Sequence, residues 1–303
     1  MARGWNVPRL IVVALLGWGA YWAALPWIIC FRAFPGGAIG EALRFCTFGF
    51  GIPGFPPAQG WNLLVGALYV AAAIWTAAPP TSELSRFNTG AGRWVEISPL
   101  LESLLRESLR AHEISGGLVN IAVLPALLAA GYTRTFSEGP TAVTISTRPP
   151  ALNDVLEVRS GSARLRQGAA IDLGGIAKGF LADRLAADLG PNALVNLCGD
   201  LFARGDGEAG DGWPVGMGGE TVLLIDMGAA TSGTRRRSWG EGLHHLIDPR
   251  TGLPSRTDLS EVSVIARTGA DAEIFAKAAL LLGSIEAPEY LRAHAALGWW
   301  FGA

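Results

Sequence analysis

Of the 24 basic residues in this chain, two are lysines, Lys178 and Lys277. Arginine serves for general surface charge, so a position that keeps a compact ammonium instead of a planar fork points to a local need for a point charge. Lys178 lies in the run Ala170-Ile-Asp-Leu-Gly-Gly-Ile-Ala-Lys-Gly-Phe-Leu-Ala-Asp183. There an apolar stretch ends at Asp172, Gly174 and Gly175 make a tight turn, and a helical pattern starts at Ile176. Strand, glycine turn and helix start together aim backbone N–H groups and the positive end of a helix dipole at one spot, a cradle for phosphate. Lys178 adds a full charge to it. An ordinary strand–turn–helix corner, with Asp172 as its turn or capping residue, fits the same residues.

His245 opens a second stretch, His245-Leu-Ile-Asp-Pro-Arg-Thr-Gly-Leu-Pro254. An imidazole, with an ordinary pKa of about 6.5, can accept a proton near neutrality. The turn residues that follow, 248–252, fix where it points, and His244 faces the other way if the segment is a strand. A surface histidine ahead of a turn is the plainer alternative. Glu273 and Lys277, four residues apart, share one helix face and form either a simple intrahelical ion pair or a charged corner of a site. Cys30, Cys46 and Cys198 are isolated and support neither a disulfide framework nor a zinc site; Cys198 reads as a small apolar core residue.

The elements that must position these groups mix strands and helices without strict alternation, which predicts an α+β, layered domain. Helices are expected from a Ser82 cap onward, over 100–112 behind Ser98-Pro99, over 119–130, from 176 to 189 and over 270–282. Strands are expected at 142–146, 155–159, 169–173, 193–197, 213–217, 222–227 and 262–266.

The N-terminal part has another character. Across residues 1–78 the charged residues are Arg3, Arg9, Arg32, Glu41 and Arg44. The run 10–31 is uncharged, flanked by arginines and long enough to cross a bilayer at about 20 residues. A cleaved signal peptide or a buried helix would also suit it, and 61–78 is a second span or a packed helix. The expected organisation is therefore a hydrophobic, membrane-associated segment over 1–78, on an inner or cytoplasmic membrane, and a globular domain over 79–303. The side of the membrane on which that domain lies stays open. A net charge of −2 without a local basic run argues against nucleic acid as a partner.

In order and spacing, six stretches resemble the ApbE family, the FAD:protein FMN transferases. They are Ser82-Glu-Leu-Ser-Arg-Phe-Asn88, Asp172-Leu-Gly-Gly-Ile-Ala-Lys-Gly179, Leu194-Val-Asn-Leu-Cys-Gly-Asp200, Thr231-Ser-Gly233, the His245 stretch, and Ala272-Glu-Ile-Phe-Ala-Lys277. The resemblance implies cleavage of FAD at its pyrophosphate. FMN would pass to a Thr or Ser hydroxyl of a target flavoprotein, with magnesium assisting and AMP released. It implies that His245 activates the acceptor hydroxyl and that Gly174, Gly175 and Lys178 hold phosphate. It puts Asp172 and the Ile247 backbone against the flavin nucleotide, together with Leu118, Val119 and Asn120 of the run Gly117-Leu-Val-Asn120, where the family has Gly-Ala-Phe-Asp.

This sequence departs from the family at the metal. Glu273 stands for an aspartate and Lys277 for a threonine, leaving Gly175 and Glu273 as the ligands the resemblance would offer magnesium. An ammonium cannot ligate a metal and repels it, so Lys277 is expected to take over part of the metal's work on the phosphates. The family's opening strand is not visible, and Ala78 stands where a flavin-side tyrosine is usual. Two further readings therefore stay open: an FAD-binding or FAD-hydrolysing protein without acceptor transfer, and a non-catalytic membrane-anchored relative.

Overall fold

The computed structural model describes residues 12–14, 28–30, 82–132, 143–144, 147–235, 238–240 and 242–302. Two short strands come first, β1 (Val12–Ala14) and β2 (Ile28–Cys30), paired antiparallel. They fall inside the run read above as a bilayer crossing; the rest of that run, the run 61–78 and Ala78 lie outside the described residues. No helix among the described residues is long and apolar enough to cross a membrane.

Helix α1 (Glu83–Thr89) starts on Ser82, whose side chain accepts from the Ser85 N–H. Strand β3 (Trp94–Glu96) leads to helix α2 (Pro99–Ile114), with Ser98 as cap and proline in the first turn, where its missing N–H costs nothing. Leu101, Leu104 and Leu105 bury one face of α2. Glu83 clamps α1 to its start by accepting from the Ser98 N–H at 2.5 Å and the Ser98 hydroxyl at 2.7 Å. The helix expected over 119–130 is instead a short turn of 3-10 helix, Ile121–Val123, followed by α3 (Leu124–Ala129). Strands β4 (Leu156–Arg159) and β5 (Ser162–Leu165) join β3 in an antiparallel sheet of order β3-β5-β4.

Helix α4 (Ala177–Leu189) then feeds the hairpin of β6 (Ala193–Leu197) and β7 (Asp200–Arg204). A second hairpin, β8 (Trp213–Met217) and β9 (Glu220–Leu224), ends before Asp226, whose φ of 50° turns the chain. The single strand expected over 222–227 is therefore split. Strand β10 (Met227–Gly233) follows, then the small pairs β11 (Ser238–Gly240) with β12 (Leu243–His244), and β13 (Ile247–Asp248) with β14 (Leu253–Pro254). Strand β15 (Glu261–Ala266), helix α5 (Gly269–Ala293) and strand β16 (Gly298–Gly302) complete the chain.

The main sheet has five antiparallel strands in the order β16-β15-β10-β7-β6. Period-2 alternation makes it two-faced. Ala193, Val195 and Leu197 of β6 pack with the apolar face of α4, while Leu194 joins Leu201, Ala203, Ala229 and Ile265 under the β8–β9 hairpin. Helix α5 lies beside α4 over β10 and β15 and is buried nearly all round through Ala272, Ile274, Phe275, Ala276, Ala279 and Leu280, with Glu273 and Lys277 as polar interruptions. It breaks at Gly283, φ 80°, where Asp258 accepts from the Ser284 N–H at 2.9 Å and restarts the helix.

The β6–β7 turn places Cys198 at φ 58° and Gly199 at φ 100°. Cys198 is thus a turn residue and not the core residue its type suggests. A Cβ-bearing residue in the left-handed region costs about 1–2 kcal/mol, part of which glycine gives back as unfolded-state entropy. Cys198→Gly is accordingly expected to raise the unfolding free energy by about 0.5–1 kcal/mol, read from urea denaturation; an unchanged midpoint would show that the turn is unstrained.

Candidate active site

The segment 169–173 carries the first candidate residues and is extended without being a strand. Its backbone is held by side chains and a loop in place of a ladder. The Ile171 N–H donates to Asn88 Oδ1 and the Asn88 amide donates to the Ile171 carbonyl, both at 2.9 Å, while the Asp172 N–H donates to the Ile121 carbonyl at 2.8 Å. Asn88 on α1 is therefore the residue that aims Asp172. Asp172 Oδ1 accepts from the Gly174 N–H at 2.9 Å, closing the glycine turn.

Past that turn, one cavity of about 140 Å³ gathers most of the residues singled out from the sequence. Asp172, Gly174 and Gly175 form one side, Leu118, Val119 and Asn120 another, His245 and Ile247 a third, and Lys277 reaches it from α5. Asn120 is at the same time the cap of the 3-10 turn, its Oδ1 accepting from the Ala122 N–H at 2.9 Å and its amide donating to the Pro150 carbonyl. Tyr132, Val123, Leu127 and Leu281 also line the cavity. Tyr132 follows Gly131 just past α3, and its residue type alone does not mark it as a site residue. Its ring stacks on Trp239 with centroids 5.3 Å apart, giving the cavity an aromatic wall that no local pattern announces.

The phosphate cradle needs correction. Lys178 does not line the cavity; it forms an ion pair with Asp200 at the start of β7, a carboxylate only 3% exposed. The N–H groups of Ile176 and Ala177 both donate to the Leu173 carbonyl, and the Gly179 N–H donates to Glu273 Oε2 at 2.8 Å. The positive end of α4 is thus occupied by a carboxylate of this same chain. Lys277 supplies the cavity's ammonium instead. A Cβ built on Gly175 would lie 1.4 Å from Lys277 Nζ, so the ammonium fills the space that a glycine leaves.

The metal site fails for the same reasons. Glu273 is 3% exposed and turned toward the α4 backbone, Lys277 stands beside Gly175, and no cluster of acids, histidines or cysteines among the described residues could hold a metal ion. Magnesium therefore does not fit at Gly175 and Glu273. Nor do Glu273 and Lys277 form the simple intrahelical pair. Burial, with Asp200 nearby, raises the Glu273 pKa, and burial lowers that of Lys277 while Glu273 opposes the shift.

The histidine pair separates although His245 lies just past the end of β12, so the bend after His244 and not a strand period parts the two rings. His244 is buried, its Nδ1 accepting from the Leu246 N–H and its Nε2–H donating to the Ser255 carbonyl at 3.0 Å. His245 turns to the cavity. The loop behind is locked: Asp248 accepts from the Arg250 N–H at 2.8 Å and pairs with its guanidinium, which also donates to the Leu281 carbonyl. Burial lowers the His244 pKa below its ordinary value. The unfolded chain then takes up a proton below about pH 6.5 that the folded chain refuses, so this contribution to stability is present above that pH and lost on acidification. Wild type is expected to lose stability relative to His244→Gln as the pH falls from about 7 to 5; parallel denaturation curves at both pH values would contradict this.

A family model described as the ApbE family matches residues 65–299. An FAD:protein FMN transferase of Treponema pallidum is 33% identical over 237 residues, 67% of this chain and 65% of that protein. One from Haemophilus influenzae is 27% identical over 235 residues, 69% of this chain and 68% of that protein. The chain thus spans 65% of the length of the Treponema relative, slightly under two thirds. Among solved structures, the ApbE protein of Thermotoga maritima superposes with a TM-score of 0.71 at 20% identity, covering 84% of this chain and 90% of that one. The apo flavinyl transferase ApbE of Pseudomonas stutzeri gives 0.70 at 20% identity, covering 81% and 82%. At that identity these structures establish a shared fold.

Proposed function

The chain belongs to the ApbE family, and from that premise we propose that it is an FAD:protein FMN transferase, moving FMN from FAD onto a Thr or Ser hydroxyl of a target flavoprotein. The observation that carries the proposal is the single cavity on which His245, Asp172, the 174–175 turn and Lys277 converge. A phosphoryl transfer of this kind needs position and charge more than covalent chemistry.

The acceptor hydroxyl oxygen attacks the FMN phosphorus, its proton passes to the His245 imidazole, and the bond from that phosphorus to the bridging oxygen breaks. AMP leaves carrying the bridging oxygen. His245 stands at the cavity wall with its Nδ1 shielded from solvent. Lys277 answers the diphosphate charge. Asp172 and the backbone from Leu118 to Asn120 hold the nucleotide along the cavity wall, and Tyr132 offers a face to the flavin ring. The residues at Gly175 and Glu273 do not provide the ligands that magnesium would need.

Residues 10–31 would hold the protein to a membrane; what supports this is composition, an uncharged run between Arg9 and Arg32. Release of the full chain from membranes by alkaline carbonate would contradict it.

Incubation with FAD and a flavoprotein carrying an acceptor Thr or Ser tests the transfer. Covalent FMN on the acceptor, seen as a mass increase of the intact protein, is the expected result. Free FMN and AMP with an unlabelled acceptor would instead make the protein a hydrolase, and retention of intact FAD a binder.

A further inference from the structure

Lys277 brings to this cavity an ammonium that neighbouring carboxylates act on without a direct contact. Lys178, the other lysine of the chain, is paired with Asp200. Glu273 is spent on the Gly179 N–H. Among the described residues no hydrogen bond or ion pair holds the Lys277 ammonium. It stands at the cavity wall in the space beside Gly175. An ammonium removed from bulk water without a partner is costly, and a ligand anion would offset that cost. Arginine would not serve here, because its planar fork is larger than the space a missing Cβ leaves.

Resting on the flavinyl-transfer reading above, we propose that Lys277 is the resident cation of this site and binds the FAD diphosphate in place of a divalent metal. The ammonium neutralises the charge that develops on the transferring phosphate and keeps its own protons throughout. Burial lowers the Lys277 pKa and Lys178 adds to the fall, while the carboxylates of Glu273, Asp172 and Asp200 act the other way and favour its charged form. With Glu273 committed to the α4 backbone, a divalent ion beside Gly175 would meet the Lys277 ammonium in place of a ligand. The cluster Lys178, Lys277, Asp200 and Glu273 is formally neutral without a metal, and a bound diphosphate meets the one ammonium of the four that has no partner of its own.

The test uses the full chain, Mn²⁺ alone as the metal probe, and FAD binding by calorimetry in excess EDTA. Expected for wild type are an undiminished free-Mn²⁺ electron paramagnetic resonance signal and an FAD affinity in EDTA within about 2-fold of that in Mg²⁺. Lys277→Met keeps the length of the side chain and removes its charge, and is expected to lower FAD affinity in EDTA by about 10- to 100-fold, the range of a charge-assisted hydrogen bond. Lys277→Thr, should the methionine variant not fold by thermal melting, is expected to show the same loss. Stoichiometric Mn²⁺ binding by wild type, or FAD binding and turnover abolished by EDTA and restored by Mg²⁺, would overturn the proposal while leaving the transferase reading intact. Wild type that binds no FAD with or without Mg²⁺ would overturn both.

Discussion

His245→Ala is expected to lower the rate of FMN transfer by about 10²–10⁴-fold, the contribution of a positioned general base, while FAD affinity changes no more than about 3-fold. The two readouts diverge if, as proposed, the imidazole acts on the acceptor hydroxyl while the diphosphate meets Lys277 and the 174–175 turn. The fold should survive the change. His245 is partly exposed at the cavity, and its loop is held by residues on either side: His244 on the Ser255 carbonyl, and Asp248 on the Arg250 N–H and guanidinium. An unaltered melting temperature is thus part of the expectation. Single-turnover labelling of the acceptor, with FAD binding measured separately, gives both numbers. A variant that transfers FMN within 10-fold of wild type would remove His245 from the chemistry, and a variant that no longer binds FAD would make it a ligand of the nucleotide and not the base.

Much of what surrounds that histidine is legible from residue types. Ser98-Pro99 ahead of leucines at helical spacing is enough for α2, because cap, proline and apolar stripe all act within one or two turns. Three of the six stretches of family resemblance, those holding Asp172, His245 and Lys277, contribute to the cavity wall, and the glycine turn and the 248–252 loop that present the first two are local structures. Non-local partners are what the sequence does not display. Residues 169–173 have the letters of a strand, yet their partner is the side chain of Asn88, eighty-three positions before Ile171. Lys178 and Lys277 stand out equally, and only the fold puts Asp200 beside the first. Glu273 and Lys277 satisfy the helical pairing rule, but a helix N-terminus from elsewhere in the chain competes for the carboxylate and wins, since a buried N–H must find an acceptor.

That competition sets up the second large effect, a pair of alanine substitutions four residues apart with opposite outcomes. At Gly175 no unusual backbone angle is required, and the atoms an added Cβ would meet are the far end of Lys277: Nζ at 1.4 Å and Cε at 2.8 Å. A flexible tip can swing aside, so Gly175→Ala is expected to fold with a melting temperature within about 2 °C of wild type, equivalent to less than about 1 kcal/mol. The displaced ammonium no longer faces the diphosphate, and transfer should fall by about 10- to 100-fold. At Gly179 the added Cβ would meet backbone: the Gly269 carbonyl oxygen at 2.2 Å, its carbon at 2.6 Å and the Ala270 nitrogen at 2.9 Å. These atoms belong to the first turn of α5, whose Gly269 and Ala270 N–H groups are already tied to Asp183 at 2.6 and 3.0 Å. Neither helix can yield without losing its packing on β10 or those hydrogen bonds. Gly179→Ala is therefore expected to cost about 3 kcal/mol or more and to lower the melting temperature by about 6–12 °C. Whatever protein stays folded should bind FAD close to normally. If both variants lose stability alike, Lys277 is wedged against the turn as a structural strut; if Gly175→Ala keeps full activity, the ammonium has a second position from which it serves the phosphate equally well.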